Sequence, residues 1–123
     1  MISIDSHGWI ERFTSGPKSS RYNEVIDKTA PNDVLTSVVA LYEVYRRVKK
    51  EKGEQTALGA VAAMGQTRVA EIDQSLSLEA ADYSLELGLH FADALVYATA
   101  RRFSARLYTG DEDLKSLPGV TFI

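Results

Sequence analysis

The stretch "HFADALVYATARRFSARLYTGD" (residues 90–111) reads as a helix that feeds a strand. Residues 90–103 have helix period and are apolar almost all the way round. Residues 105–109, "ARLYT", are short, apolar and suited to a strand. On a wheel of about 3.6 residues per turn, Asp93 shares a stripe with Val96, Tyr97 and Ala100. A carboxylate buried there without a partner is costly, so it needs a partner or a task. Arg101 and Arg102 lie too far along the helix to pair with it easily. The helix dipole favours an anion in the first turn by only ~0.3–1 kcal/mol.

Working outward, the same alternation fills the chain. "MISID" (1–5) reads as a first strand, followed by helices over 7–13 and 19–30. Ser15-Gly16-Pro17 and Pro31-Asn32-Asp33 punctuate them. "VLTSVV" (34–39) reads as the second strand, and helices over 40–53 and 54–67 follow. "RVAEI" (68–72) is a third strand, with a helix over 76–88 closed by Gly88. After the fourth strand at 105–109, "GDEDLKSLPG" (110–119) is a loop or short turn, and "VTFI" (120–123) is the last strand. Strands alternating with helices predict an α/β fold with a parallel sheet. No repeat or linker interrupts it, so one domain over residues 1–123 is expected.

Composition narrows the chemistry. There is no cysteine, which excludes disulfides and thiolate metal sites. A metal site would use carboxylates, the two histidines or backbone oxygens, a donor set suited to hard cations. The net charge of −3 lacks the broad positive field of a non-specific duplex binder. The first residues carry neither a basic segment nor a long apolar run, so a cytoplasmic protein without membrane association is expected.

In open α/β sheets, sites form beyond the carboxyl ends of the strands, near the switch in strand order. Asp5 and Asp111 fall at that edge, and Glu43 and Asp93 lie early in helices that start there. Each has a plainer reading. Asp5 and Asp111 suit turns or caps. Glu43 has Arg46 and Arg47 at i+3 and i+4, the spacing of a surface ion pair. Together, however, four crowded carboxylates repel, and a cation relieves the repulsion. Metal-assisted hydrolysis of a phosphate ester is the chemistry such a set suits. There is no Walker loop, GxGxxG or GxSxG. Ser6, His7, His90 and Asp93 include the residue types of a hydrolase triad without its context. The basic run "RRVKKEK" (46–52) reads first as a solvated helix face and second as a patch for RNA phosphate.

Four segments resemble the motifs of PIN-domain proteins. "IDSHGWIE" is similar to their opening D-[ST]-x-x-W/L-I, and "TSVVALYEV" to their second motif, with Glu43 at the acid position. "FADALVYATA" resembles the third, with Asp93 as its acid, and "LYTGDEDLKSLPGV" the fourth. Length and layout are similar to the VapC-type toxins of type II toxin–antitoxin pairs. The resemblance implies a three-layer α/β/α, PIN-like fold with sheet order 3-2-1-4-5, which brings Asp5 and Asp111 together. It implies that Asp5, Glu43 and Asp93 are the central metal-binding, catalytic acids and Asp111 the fourth. Asp113 would be accessory, and Ser6 and Thr109 would orient waters or acids. Mg2+ or Mn2+ is the implied cofactor, RNA the substrate, a VapB-type antitoxin the partner and a homodimer the assembly. The expected activity is that of an endoribonuclease toxin. Two rivals are a PIN-like binding module without catalysis and another α/β phosphohydrolase, such as a haloacid-dehalogenase-like enzyme. The latter class resembles D-x-D after the first strand, where this chain has Asp5-Ser6-His7. His7 and Gly8 depart from the PIN pattern, and Leu114 stands where Phe is common.

Overall fold

A computed structural model describes residues 1–123. Its strands are β1 (Ile2–Ile4), β2 (Val34–Ser37), β3 (Arg68–Ala70), β4 (Arg106–Thr109) and β5 (Val120–Phe122). Its helices are α1 (Ser6–Thr14), α2 (Ser19–Asp27), α3 (Val38–Lys52), α4 (Glu54–Gly65), α5 (Gln74–Leu87) and α6 (Phe91–Arg102). All strand pairs are parallel, and the sheet order is β3-β2-β1-β4-β5, as expected.

Side chains alternate across the pleat and set two cores. Ile4 and Val34 pack with Trp9, Tyr22, Val44, Val48 and Met64, so α1 to α4 cover one face. Leu107 packs with Leu76, Ala80, Leu95 and Leu114, which places α5 and α6 on the other. The result is a three-layer α/β/α domain. Helix α6 is buried continuously from Ala94 to Ala100, which explains its all-round apolar sequence. The hydroxyl of Tyr97 donates to the Pro118 carbonyl at 2.9 Å and ties α6 to the loop before β5. Leu114 is buried in this core, so the change from Phe keeps an apolar anchor there.

Four strands end earlier than the sequence predicts: β3 stops at Ala70 rather than Ile72, β5 at Phe122 rather than Ile123, and at β1 and β2 a cap is the reason. The second strand was expected through Val39 but stops at Ser37. The Ser37 hydroxyl accepts the Val39 N–H at 3.2 Å, so Val38 and Val39 open α3 despite their strand preference. Asp5 was expected to end β1. Its N–H still donates to the Tyr108 carbonyl at 3.2 Å, but its carboxylate caps α1 by accepting from the Gly8 N–H at 2.9 Å. Asp73 likewise caps α5 through Leu76 N–H and starts that helix at Gln74 rather than Leu76. The immediate strand-to-helix joins at Asp5 and Ser37 carry α1 and α3 straight off the carboxyl edge of the sheet. No helix is long and apolar enough to cross a membrane.

Candidate active site

The order β3-β2-β1-β4-β5 places the topological switch between β1 and β4. Asp5 follows β1, and Thr109 is the last residue of β4. The Thr109 hydroxyl donates to Asp5 Oδ2 in a very short contact and accepts the Asp111 N–H at 3.0 Å. Asp5 Oδ1 takes the Gly8 N–H. Both carboxylate oxygens of Asp5 are therefore held by the fold, and the same hydroxyl fixes the turn that presents Asp111. Asp111 Oδ1 accepts the Asp113 N–H at 2.9 Å, which folds Asp113 back toward it.

Asp5, Ser6, Glu43, Asp93 and Asp111 line one cleft of about 280 Å³. His7 and Gly110 complete its polar wall, with Val96 and Leu114 as its apolar floor. Four acids separated by up to about a hundred positions in sequence thus share one cavity. Asp113 does not line the cleft. It does form the tightest carboxylate group with Asp93 and Asp111, whose ligand atoms lie within 4.8 Å of one another. Asp113, expected as an accessory, is therefore nearer to Asp93 than its place in the fourth motif suggested.

None of these five acids forms an ion pair. The pair offered by the Glu43 spacing does not form: Arg47 bonds Glu51 instead, and Glu43 turns into the cleft. Arg102 is taken by Asp73 and Glu79. Two of them, Asp93 and Asp5, are consequently held above the ordinary carboxylate range. Burial pushes the Asp93 carboxyl up to about 7, helped by Asp111, Asp113 and Glu43. Burial also raises Asp5, against the opposing hydrogen bonds from Thr109 and Gly8.

A raised carboxyl pKa means that the fold favours the protonated form. Metal-free protein should therefore be more stable at acid pH and lose stability as pH climbs from about 4 through about 7. Melting curves in EDTA at pH 5.5 and pH 8 measure this, with the lower midpoint expected at pH 8. Thr109→Val should cost about 1–3 kcal/mol, because it strands a buried carboxylate oxygen and a backbone N–H. Urea unfolding checks it.

The sequence missed how His7 and Gly8 are accommodated. His7 Nε2 lies 3.4 Å from Oε1 of Glu11, one turn on in α1. Glu11 is buried and also accepts the Lys18 N–H at 3.1 Å. The i,i+4 spacing could have signalled the His7–Glu11 pair. At Gly8, a Cβ would lie 2.6 Å from both Ile4 Cγ2 and the Tyr22 ring. Tyr22 occupies the space that an aliphatic residue at position 8 would fill, and no local pattern could reveal that.

A parallel sheet in this order, with a carboxylate cleft at its switch point, defines a class of α/β domain. The PIN domain model matches residues 2–120, and the chain belongs to the PIN-domain family. Comparison with curated protein sequences found no match. Among solved structures, a toxin–antitoxin complex from Klebsiella pneumoniae is similar, with a TM-score of 0.82 at 22% identity over 98% of this chain and 96% of that one. VapC20 of Mycobacterium tuberculosis, described as a sarcin–ricin loop cleaving toxin, gives 0.76 at 20% identity over 94% and 92%. VapBC2 of Rickettsia felis, bound to a DNA fragment from its promoter, gives 0.75 at 18% identity over 100% and 98%.

Proposed function

We propose that this PIN-domain protein is a divalent-cation-dependent endoribonuclease of the VapC toxin type. The observation that carries the reading is the group of five acids converging at the switch point, none of them in an ion pair. The donor set fits a hard cation: it is all oxygen, and such an ion offsets both the burial and the neighbouring negative charges that raise Asp93. Asp5, Glu43, Asp93 and Asp111 are the residues to hold Mg2+ or Mn2+, with Asp113 accessory. Bound there, the ion would supply an activated water and offset charge on the phosphoryl oxygens.

The chain's own residues prepare that chemistry. Thr109 and the Gly8 N–H hold Asp5 in one orientation. Ser6 sits on the cleft wall, where its hydroxyl can orient water or a phosphate oxygen. Val96 and Leu114 keep the floor apolar, which strengthens the charge interactions above it. The substrate class is RNA, as single strands or structured loops, acted on in the cytoplasm. The neighbours described as toxin–antitoxin complexes support a VapB-type antitoxin as partner, and a homodimer fits the exposed apolar Leu78, Leu85 and Phe91.

The test is incubation of purified protein with a labelled single-stranded RNA of mixed sequence. Cleavage is expected with Mg2+ or Mn2+ and none with EDTA. Intact RNA under all three conditions, or equal cleavage in EDTA, overturns the reading.

A further inference from the structure

A second cleft, of about 300 Å³, adjoins the acidic one. The two share Ser6, His7 and Glu43, so they form one continuous groove. Beyond Glu43, the second cleft is lined by Ile10, Tyr42, Arg46 and Arg47. Its character is opposite to that of the first: it offers one aromatic ring and two guanidinium groups where the first offers carboxylates.

Tyr42 is 68% exposed, unusual for an aromatic residue in a helix whose apolar residues otherwise face a core. Arg46 stands one turn further along the same face and is also exposed. It forms no ion pair or side-chain hydrogen bond, although Glu43 is three residues away. Arg47 is held by Glu51. The groove thus presents a free aromatic face and a free guanidinium directly beside the acids.

On the nuclease reading above, we infer that Tyr42 and Arg46 form a subsite for the nucleotide next to the scissile phosphate of single-stranded RNA. Its base stacks on the Tyr42 ring, and its outer phosphate is held by Arg46. Every base has a π-face, so stacking tolerates sequence variation, while an arginine supplies charge that the acids lack. A paired base would not fit, because its faces are already stacked. The local division of labour also accounts for RNA binding by a chain whose net charge is −3.

The test uses fluorescence anisotropy of a 5′-fluorescein 12-nucleotide single-stranded RNA, with Mg2+, on Asp93→Asn protein to suppress cleavage. Adding Tyr42→Ala should weaken binding about tenfold, and Tyr42→Phe should restore it. Adding Arg46→Ala should weaken binding and lower the slope of log K against log salt by about 0.7. Binding within twofold of the parent for Tyr42→Ala, or failure of Tyr42→Phe to rescue, overturns the subsite, as does a parent that binds no RNA. Cleavage by wild-type protein, measured in parallel, separates the two claims. Cleavage with Tyr42-independent binding removes the subsite and leaves the nuclease. Tyr42-dependent binding without metal-dependent cleavage removes the nuclease and leaves Tyr42 and Arg46 as an RNA-binding groove with no scissile phosphate beside it.

Discussion

Asp93→Asn should lower Mg2+-dependent RNA cleavage about a thousandfold, equivalent to about 4 kcal/mol in the barrier. The same change should stabilise the metal-free protein. Asn keeps the size of Asp and removes a charge that burial, Asp111, Asp113 and Glu43 all oppose. Asp93 is only half-buried, so solvent screening reduces the gain to about 1 kcal/mol, or about 4 °C in Tm. The gain should appear at pH 8 and vanish only below about pH 3, under the ordinary carboxyl pKa of 3.8, where the carboxyl is protonated in both folded and unfolded chains. A purely structural acid would behave oppositely: its loss would destabilise the fold, and cleavage would fall only with the folded fraction. Single-turnover cleavage and melting in EDTA separate the two cases.

Gly8→Ala should be the most destabilising single methyl addition in the chain's site region, by about 3 kcal/mol and about 10 °C in Tm. The added carbon would lie 2.6 Å from Ile4 Cγ2 and from two Tyr22 ring atoms. Ile4 and Tyr22 are 1% and 0% exposed, so neither has room to retreat. The clash also falls on the residue whose N–H holds Asp5, so cleavage should drop beyond what unfolding explains. Combining Gly8→Ala with Tyr22→Leu should recover part of the lost stability, because the smaller side chain vacates the space. Urea unfolding of the two single variants and the double variant forms the cycle. Strictly additive losses would show that the two positions do not compete for the same volume.

How much of this was legible in the sequence depends on the range of the cause. Helix α6 was legible because its burial on all sides leaves a local signature, a run of apolar residues with helix period. Asp93 stood out against that run for the same reason. The sheet order came from the motif resemblance, while the acid positions followed from the carboxyl-edge rule and were reinforced by the motifs; the structure has the expected order and brings Asp5, Glu43, Asp93 and Asp111 to one cleft. The ends of β1 and β2 were misplaced because the side chains of Asp5 and Ser37 compete for backbone donors, and such capping overrides strand preference over two residues. Glu43 illustrates a different limit. Spacing alone offered Arg46 and Arg47 as partners, but the helix directs Glu43 into the cleft while Glu51 takes Arg47. The proximity of Asp113 to Asp93 and the fit of Tyr22 over Gly8 are tertiary facts. They depend on how a loop and a helix approach from distant parts of the chain, and no local pattern encodes them.

The central claim is that these acids share a divalent cation, and titration of the protein with Mn2+ tests it most directly. Free Mn2+ can be followed by electron paramagnetic resonance at pH 7.5. Wild-type protein should bind Mn2+ saturably, and Asp93→Asn should bind it at least about tenfold more weakly. Absence of binding by the wild type, or equal affinity in the variant, would contradict a cation site built on Asp93.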